Sequence, residues 1–281
     1  MNTRHEITLP IPVDHVGIVG YNLELMIESF RRLGFFVREA TELDSGVTKE
    51  RKVQKNTHIV FPVGYLELIQ STGDDHLSPY IEKGEGLHIV ALHSSDIHYS
   101  HQAVEKLKPA LPSNASREAK HGKKTGEAKF SWFGFEKDSF PEGLICITKH
   151  ETPELIFQES LPYQPNGVTG ICEIFVYVND LNEGVERYKD LLQIHGTKKM
   201  PNTSCMKITL LDKQGIKDRY PKLKVPLDHN CILGASFTVR SLDQVTGILD
   251  YSKVQYEEQD GEVWVYPGYT HGAFLSFVTK S

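Results

Sequence analysis

Basic residues are in the minority: 31 lysines and arginines against 37 aspartates and glutamates give a formal net charge of -6. That balance supplies no general positive field of the kind that holds nucleic acid or an anionic membrane surface. Cysteine is scarce as well. The four thiols, Cys146, Cys172, Cys205 and Cys231, stand far apart in apolar segments with no C-x-x-C pair, so buried free thiols in a reducing compartment are expected and a reactive thiolate is not. No apolar run approaches the roughly 20 residues that cross a bilayer, and the opening MNTRHEITLPIP has no apolar leader region. The expectation is a cytoplasmic protein with a small-molecule substrate, and with neither a nucleic acid nor a membrane as partner. No G-x-x-x-x-G-K-[ST], no G-x-G-x-x-G after a strand and no G-x-S-x-G elbow occurs, which removes the common phosphate cradles and serine nucleophiles.

What is present is a weak internal repeat. VDHVGIVG (13–20) reads as a strand, Asn22 as a helix cap, and Leu23, Ile27, Phe30 and Leu33 as one helix face closed by Gly34. FFVRE, HIVFPV and YLELIQ follow as strands, so the first module reads β-α-β-β-β. The opening recurs at GLHIVALHSSDI, at ICEIFVYVNDL and at LGASFTVRSLDQV, with Asp96, Asp180 and Ser241 as caps, at spacings of about 60 to 85 residues. KFSWFGF, LICITK and ELIFQ supply the strands of the second module. The third fits worst, because DKQGIKDRYPKLKVPLDHN reads as loop where a strand belongs. PYQPNG (162–167) is the linker candidate, which divides the chain into 1–161 and 162–281. The fold class is therefore α+β, with repeated βαβββ modules in curved mixed sheets and helices on the outer faces.

Alternation along a strand turns neighbouring side chains to opposite faces. If Val16 and Ile18 face the helix, His15 faces away from it; if Leu66 and Leu68 do the same, Glu67 joins His15. His88 in GLHIV and Glu154 before LIF repeat the arrangement in the second module. An isolated buried glutamate costs several kcal/mol unless it is paired or metal-bound. Imidazole and carboxylate donors together suit Zn, Ni, Co, Mn or Fe, and four such ligands leave positions open for substrate. His15, Glu67, His88 and Glu154 are thus the candidate metal ligands, with a divalent ion as the expected cofactor.

These modules, with His on a first strand and Glu on a fourth, resemble the vicinal oxygen chelate superfamily, and VDHVGIVG, GYLELI and KHETPELIFQESLPYQPNG are similar to its glyoxalase-like proteins. The resemblance is concentrated in the first 180 residues. It implies a metal held in a cup between two paired modules, where it binds two adjacent oxygens of the substrate. It also implies lyase, isomerase or dioxygenase chemistry, with Glu154 or Glu67 as the proton-moving base and His150 beside the ligands or the substrate. The alternative is a non-catalytic relative that sequesters a hydrophobic or antibiotic-like ligand in the same cup. A homodimer is compatible with either.

Other signals carry less. His93, His98 and His101 are read as surface residues, and His58 is ambiguous, lying on a strand beside the expected site where it could replace one of the four ligands. SREAKHGKKTGEAK (116–129) is read as a connecting loop, a lid if functional, whose Arg117, Lys123 and Lys124 would draw an anionic substrate. Glu173 stands where the third module would place its histidine, and Phe175 and Tyr177 share its face, so the second half is expected to be a degenerate pair without metal.

Overall fold

The computed structural model describes residues 5–44, 53–62, 64–120, 122–159, 163–192 and 206–279. Cys205 and Pro162 lie outside them. The first half folds as β2 (Val13–Gly20), α1 (Leu23–Arg32), β3 (Thr41–Asp44), β4 (Val53–Val60) and β5 (Tyr65–Gln70), followed by the single-turn α2 (Ser78–Ile81). It continues through β6 (Gly86–His93), α3 (Ile97–Ala103), β7 (Ser113–Ala119), β8 (Gly126–Gly134) and β9 (Leu144–His150). In each module the first strand runs parallel to the fourth, and the remaining pairs are antiparallel. The two first strands, β2 and β6, pair antiparallel, and β3 meets β7 through Leu43 and Asp44, so the eight strands close into a barrel.

The caps fall where short polar side chains precede apolar periodicity. Asn22 accepts from the Leu25 amide, and Asp96 from the amides of His98 and Tyr99, each satisfying first-turn donors that have no partner within the helix. Gly34 ends α1 at φ 78°, the left-handed conformation that a glycine adopts without strain.

Two strand assignments of the second module differ from expectation. Residues 113–119 form a strand, not the start of a loop, and 153–155 form one turn of 3₁₀ helix, not a strand. Ser, Asn, Arg and Glu obscure the alternation of β7, where Ala115 and Arg117 face the barrel interior. Recognising β7 moves the fourth-strand role one segment back, to β9. In the first module the second strand starts at Thr41, not within Phe35–Glu39.

The second sheet has the order β1-β11-β10-β12-β15-β14-β13. Its strands are β10 (Val168–Tyr177), β11 (Lys207–Leu211), β12 (Cys231–Val239), β13 (Tyr256–Gln259), β14 (Glu262–Val265) and β15 (Phe274–Thr279), with α4 (Leu181–Leu191), α5 (Lys213–Arg219) and α6 (Leu242–Tyr251). Its seventh strand is β1 (Glu6–Pro10), which pairs antiparallel with β11 in the place that the other modules give to their third strand. The chain therefore does not divide cleanly at 161, since its first strand completes the second sheet.

One core runs through both halves. Phe35 and Phe61 of the first half meet Phe237 of the second at 5.7 Å between ring centroids. Asn166, in the expected linker, donates to the Leu33 carbonyl, and its amide donates to that of Gly34. The poorly fitting segment of the third module becomes α5 and a covering strap: Ile216 and Tyr220 pack on Phe175, Tyr177, Trp264 and Phe274, with Leu223, Val225 and Leu227 beside them. Packing is thus the role of Phe175 and Tyr177. Among the described residues no helix is long and apolar enough to cross a membrane.

Candidate functional site

Inside the barrel two apolar clusters stand apart from the main core. One gathers Val19, Ile69 and Ile89 with Leu77 and Ile81, and the other gathers Tyr65, Ala128 and Phe130 with Ile156. Between them lies a cavity of about 90 Å³ whose polar lining includes His15, His58, Glu67, His76, Arg117 and Thr148. Strand pairing brings these residues together. Gly17 is the register partner of both Glu67 and Ile89, and a Cβ on Gly17 would come within 2.9 Å of Ile89. Any larger residue at 17 therefore pushes β6 away from β2 or fills the cavity floor.

Two bulges set which side chains enter. The β2–β6 register passes from Val13–Leu92 to His15–Ala91 and from Gly17–Ile89 to Ile18–Leu87, so Asp14 and His88 are each an extra residue with no opposite number. Asp14 is thereby turned onto the same side as His15. It is buried, and its Oδ1 accepts from His15 Nδ1 at 2.8 Å and from His150 Nε2 at 2.9 Å, while Oδ2 faces His93 Nδ1 at 3.3 Å. Burial opposes the Asp14 charge, but the imidazoles of His150, His15 and His93 outweigh it and hold the carboxyl well below the usual range. An ionised carboxylate can only accept, so each of these ring nitrogens carries its proton and donates. His15 Nδ1 is fixed as the donor, and Nε2 is left as its basic nitrogen. The ring is further held by stacking on Tyr65, with centroids 4.2 Å apart.

Glu67 is buried in the neighbouring strand. Asn56 Nδ2 donates to its Oε1 at 2.6 Å, and His58 Nε2 lies 3.5 Å from the same oxygen. Desolvation works against the charge, yet His58 and Asn56 bring the pKa down to about 2. Burial and the nearby Arg117 guanidinium hold His58 at about 3, so at neutral pH it is a neutral imidazole beside an ionised carboxylate. Arg117 is 5% exposed, the Glu67 charge partly offsets its burial, and its Nη2 has no partner among the described residues.

The sequence of residues 13–192 matches the profile of a family described as the glyoxalase-like domain. The chain belongs to the glyoxalase-like domain family. Its barrel and paired modules are the fold of the vicinal oxygen chelate superfamily. Among solved structures it is similar to a hypothetical protein from Staphylococcus aureus, with a TM-score of 0.61 and 10% identity over 98% of this chain and 100% of that one. A mutant 4-hydroxymandelate synthase from Streptomyces coelicolor follows at 0.59 and 11%, covering 97% and 94%. The Mn(II)-bound glyoxalase from Novosphingobium aromaticivorans superposes at 0.54 and 12%, covering 96% and 82%. At these identities the likeness is one of fold. No curated protein sequence matches the chain.

Of the four ligands expected in this glyoxalase-like chain, His15 and Glu67 line the cavity together and the other two do not join them. His88, on its bulge, sits 2.9 Å from the Gly84 carbonyl through Nε2, and burial lowers its pKa. Glu154 lies exposed on the 3₁₀ turn after β9, because β7 and not β8 is the second strand of its module. The second module offers the cavity Ile89, Leu144 and Cys146 instead. His15 Nδ1 and Glu67 Oε1 are already engaged, and among the described residues no three His, Cys, Asp or Glu side chains are placed to hold a metal. The donor set does not fit the four-ligand centre.

His150 is buried close by, bridged to His15 through Asp14, with Tyr65, Phe130 and Phe157 around its ring. Its Nδ1 has no partner among the described residues. His58 does reach the site as a neighbour of Glu67, and Arg117 reaches it as a strand residue, not from a lid. His98 is exposed as expected, but His93 belongs to the Asp14 cluster. Asp14 went unrecognised in the sequence, although the Asp-His pair was its one signal. Glu173 is closed off by a two-pronged pair with Arg219 at 3.0 Å and 3.0 Å, with Thr209 and Lys207 beside it.

Proposed function

We propose that this glyoxalase-like chain is an enzyme that moves a proton on a small substrate with vicinal oxygens, and that the barrel cavity is where it does so. The observation that carries this reading is the buried Asp14–His15 pair, whose imidazole lines the cavity. Asp14 fixes the tautomer, so Nε2 of His15 is the base, in the arrangement by which a carboxylate orients a catalytic imidazole. Glu67 stays ionised down to about pH 2, too acidic for an efficient base near neutrality. In this low-dielectric site it serves to accept a hydrogen bond from a substrate hydroxyl. The reaction class is proton transfer at the carbon next to a carbonyl, as an isomerase or lyase would perform it. The Mn(II)-bound glyoxalase holds a divalent ion, but the donor set here does not support a stoichiometric metal on His15 and Glu67.

The test is deuterium incorporation from D₂O into 2-hydroxy and 2-oxo carbonyl compounds, followed by proton NMR. His15→Gln is expected to remove about 10²- to 10⁴-fold of the exchange rate, the usual worth of a positioned base. Equal exchange in both proteins, or exchange in neither, rejects the assignment. A second reading, a binding protein that sequesters its ligand, draws on the apolar contribution of Ile89, Leu144 and Cys146. Saturable binding without exchange in the same experiment would favour it.

A further inference from the structure

We propose that Arg117 is the anchor for a carboxylate, and that the ligand of this cavity is a small monocarboxylate. The proposal rests on the cavity being the ligand site, and it concerns what the ligand must carry.

Arg117 enters the barrel from β7 between Ala115 and Ala119 on the inward face, so its neighbours along the strand leave room around the guanidinium. The group is buried, lines the cavity and leaves Nη2 without a partner among the described residues. The Glu67 charge acts on it across the cavity, with no hydrogen bond between the two among the described residues. The guanidinium carbon lies over the ring of Phe130, 5.5 Å from its centroid, so one face of the fork is backed by an aromatic ring. A buried guanidinium with an unused N–H is costly unless an anion completes it.

A second cation makes the demand stronger. Arg38 is also buried, donates to the Ile156 carbonyl at 3.4 Å, and is lowered to about 10 by burial and by the charge of Arg117. Two guanidiniums thus repel each other across the wall; Glu67 offsets Arg117 by its charge, but its Oε1 is held by Asn56 and His58 and Asp14 is held by three imidazoles.

The choice of a monocarboxylate follows from charge and space. A planar carboxylate matches the guanidinium fork in two parallel hydrogen bonds. A dianion such as phosphate would place its second charge against ionised Glu67. A cavity of about 90 Å³ is smaller than the roughly 150 Å³ that takes benzene, so it admits a head group of about four non-hydrogen atoms. A hydroxyl or carbonyl next to the carboxylate would then lie towards Glu67 and His15.

The chain has two tryptophans, of which Trp132 lines the cavity and Trp264 is buried in the second half. Their indole N–H signals in a ¹H–¹⁵N spectrum therefore give a probe and an internal reference. Acetate and glycolate are titrated against acetamide and glycolamide, their uncharged counterparts, and against inorganic phosphate. The expected result is a saturable shift of the Trp132 signal alone with both carboxylates, and a roughly 10- to 100-fold weaker effect with the amides, the worth of one or two charge-assisted hydrogen bonds. Arg117→Met should lose the carboxylate response, and Arg117→Lys should retain a weakened one. Because the comparison of acid with amide uses the unaltered protein, it stands even if a variant does not fold. Amides that bind as well as the acids, or phosphate that binds better, overturn the carboxylate anchor while leaving the cavity as a ligand site. No shift with any probe overturns both.

Discussion

Replacing His58 by Gln should make the protein less sensitive to acid. In the folded chain His58 is buried beside Arg117 and keeps a pKa of about 3, against an ordinary value of 6.5. Below pH 6.5 the unfolded chain takes up a proton that the folded chain refuses until about pH 3, so stability falls with pH across that window and is fully retained above it. The two values differ by about 3.5, and each step is worth about 1.4 kcal/mol, so the whole effect is on the order of 3 to 5 kcal/mol. A glutamine can still offer an N–H to Glu67, which keeps the variant within about 1 kcal/mol of the wild type at pH 7. The assay is urea unfolding of both proteins at pH 7, 6, 5 and 4, and the quantity compared is the loss of stability from pH 7 to pH 4. Glu67, which His58 also influences, titrates mostly below pH 4.5, and the other titrating groups are shared, so between pH 7 and pH 4 the variant should lose less by at least about 2 kcal/mol, the larger part of the His58 contribution. If the two proteins weaken in parallel, His58 is not held neutral by its burial and the electrostatic account of the cavity fails.

Asp14→Asn should keep the fold but cost activity by about as much as loss of the base, since an amide can donate to His15 and favour the wrong tautomer; pH-rate profiles of the two proteins check it. Arg219→Met should destabilise the second half by about 3 kcal/mol, because it strands the buried Glu173 carboxylate with Lys207 and Thr209 as its remaining partners. Denaturant melts of that variant and of the double variant with Glu173→Met should show the second change recovering much of the loss. Burial raises the thiols of Cys146 and Cys231, so neither should react with iodoacetamide at pH 8 until the protein is unfolded, as mass spectrometry of the labelled peptides will show.

Much of the fold was legible because its signals are local. The caps at Asn22, Asp96, Asp180 and Ser241 hold their helices as expected, and the apolar runs of β2, β5, β6 and β9 fall close to where alternation put them. β7 was hidden by its own chemistry: a strand that carries a buried arginine between two alanines looks like a polar loop. That single omission moved Glu154 into a strand it does not occupy. The site was half legible. His15 and Glu67 share a face by the period of the strand, and they do meet. His88 obeyed the same rule in the sequence and broke it in the structure, because one residue inserted in β6 reverses the side-chain direction.

By itself the amino-acid sequence determined the modules, their helices and the pairing of His15 with Glu67, since each depends on periods of 2 and 3.6 residues read over short stretches. Only the tertiary structure decided which residues the cavity receives. The bulges that turn Asp14 in and His88 away, the entry of Arg117 from β7 and the use of residues 6–10 to complete the second sheet are set by register between distant strands. No local pattern records that register, because it is chosen by the packing of the whole barrel against the second sheet.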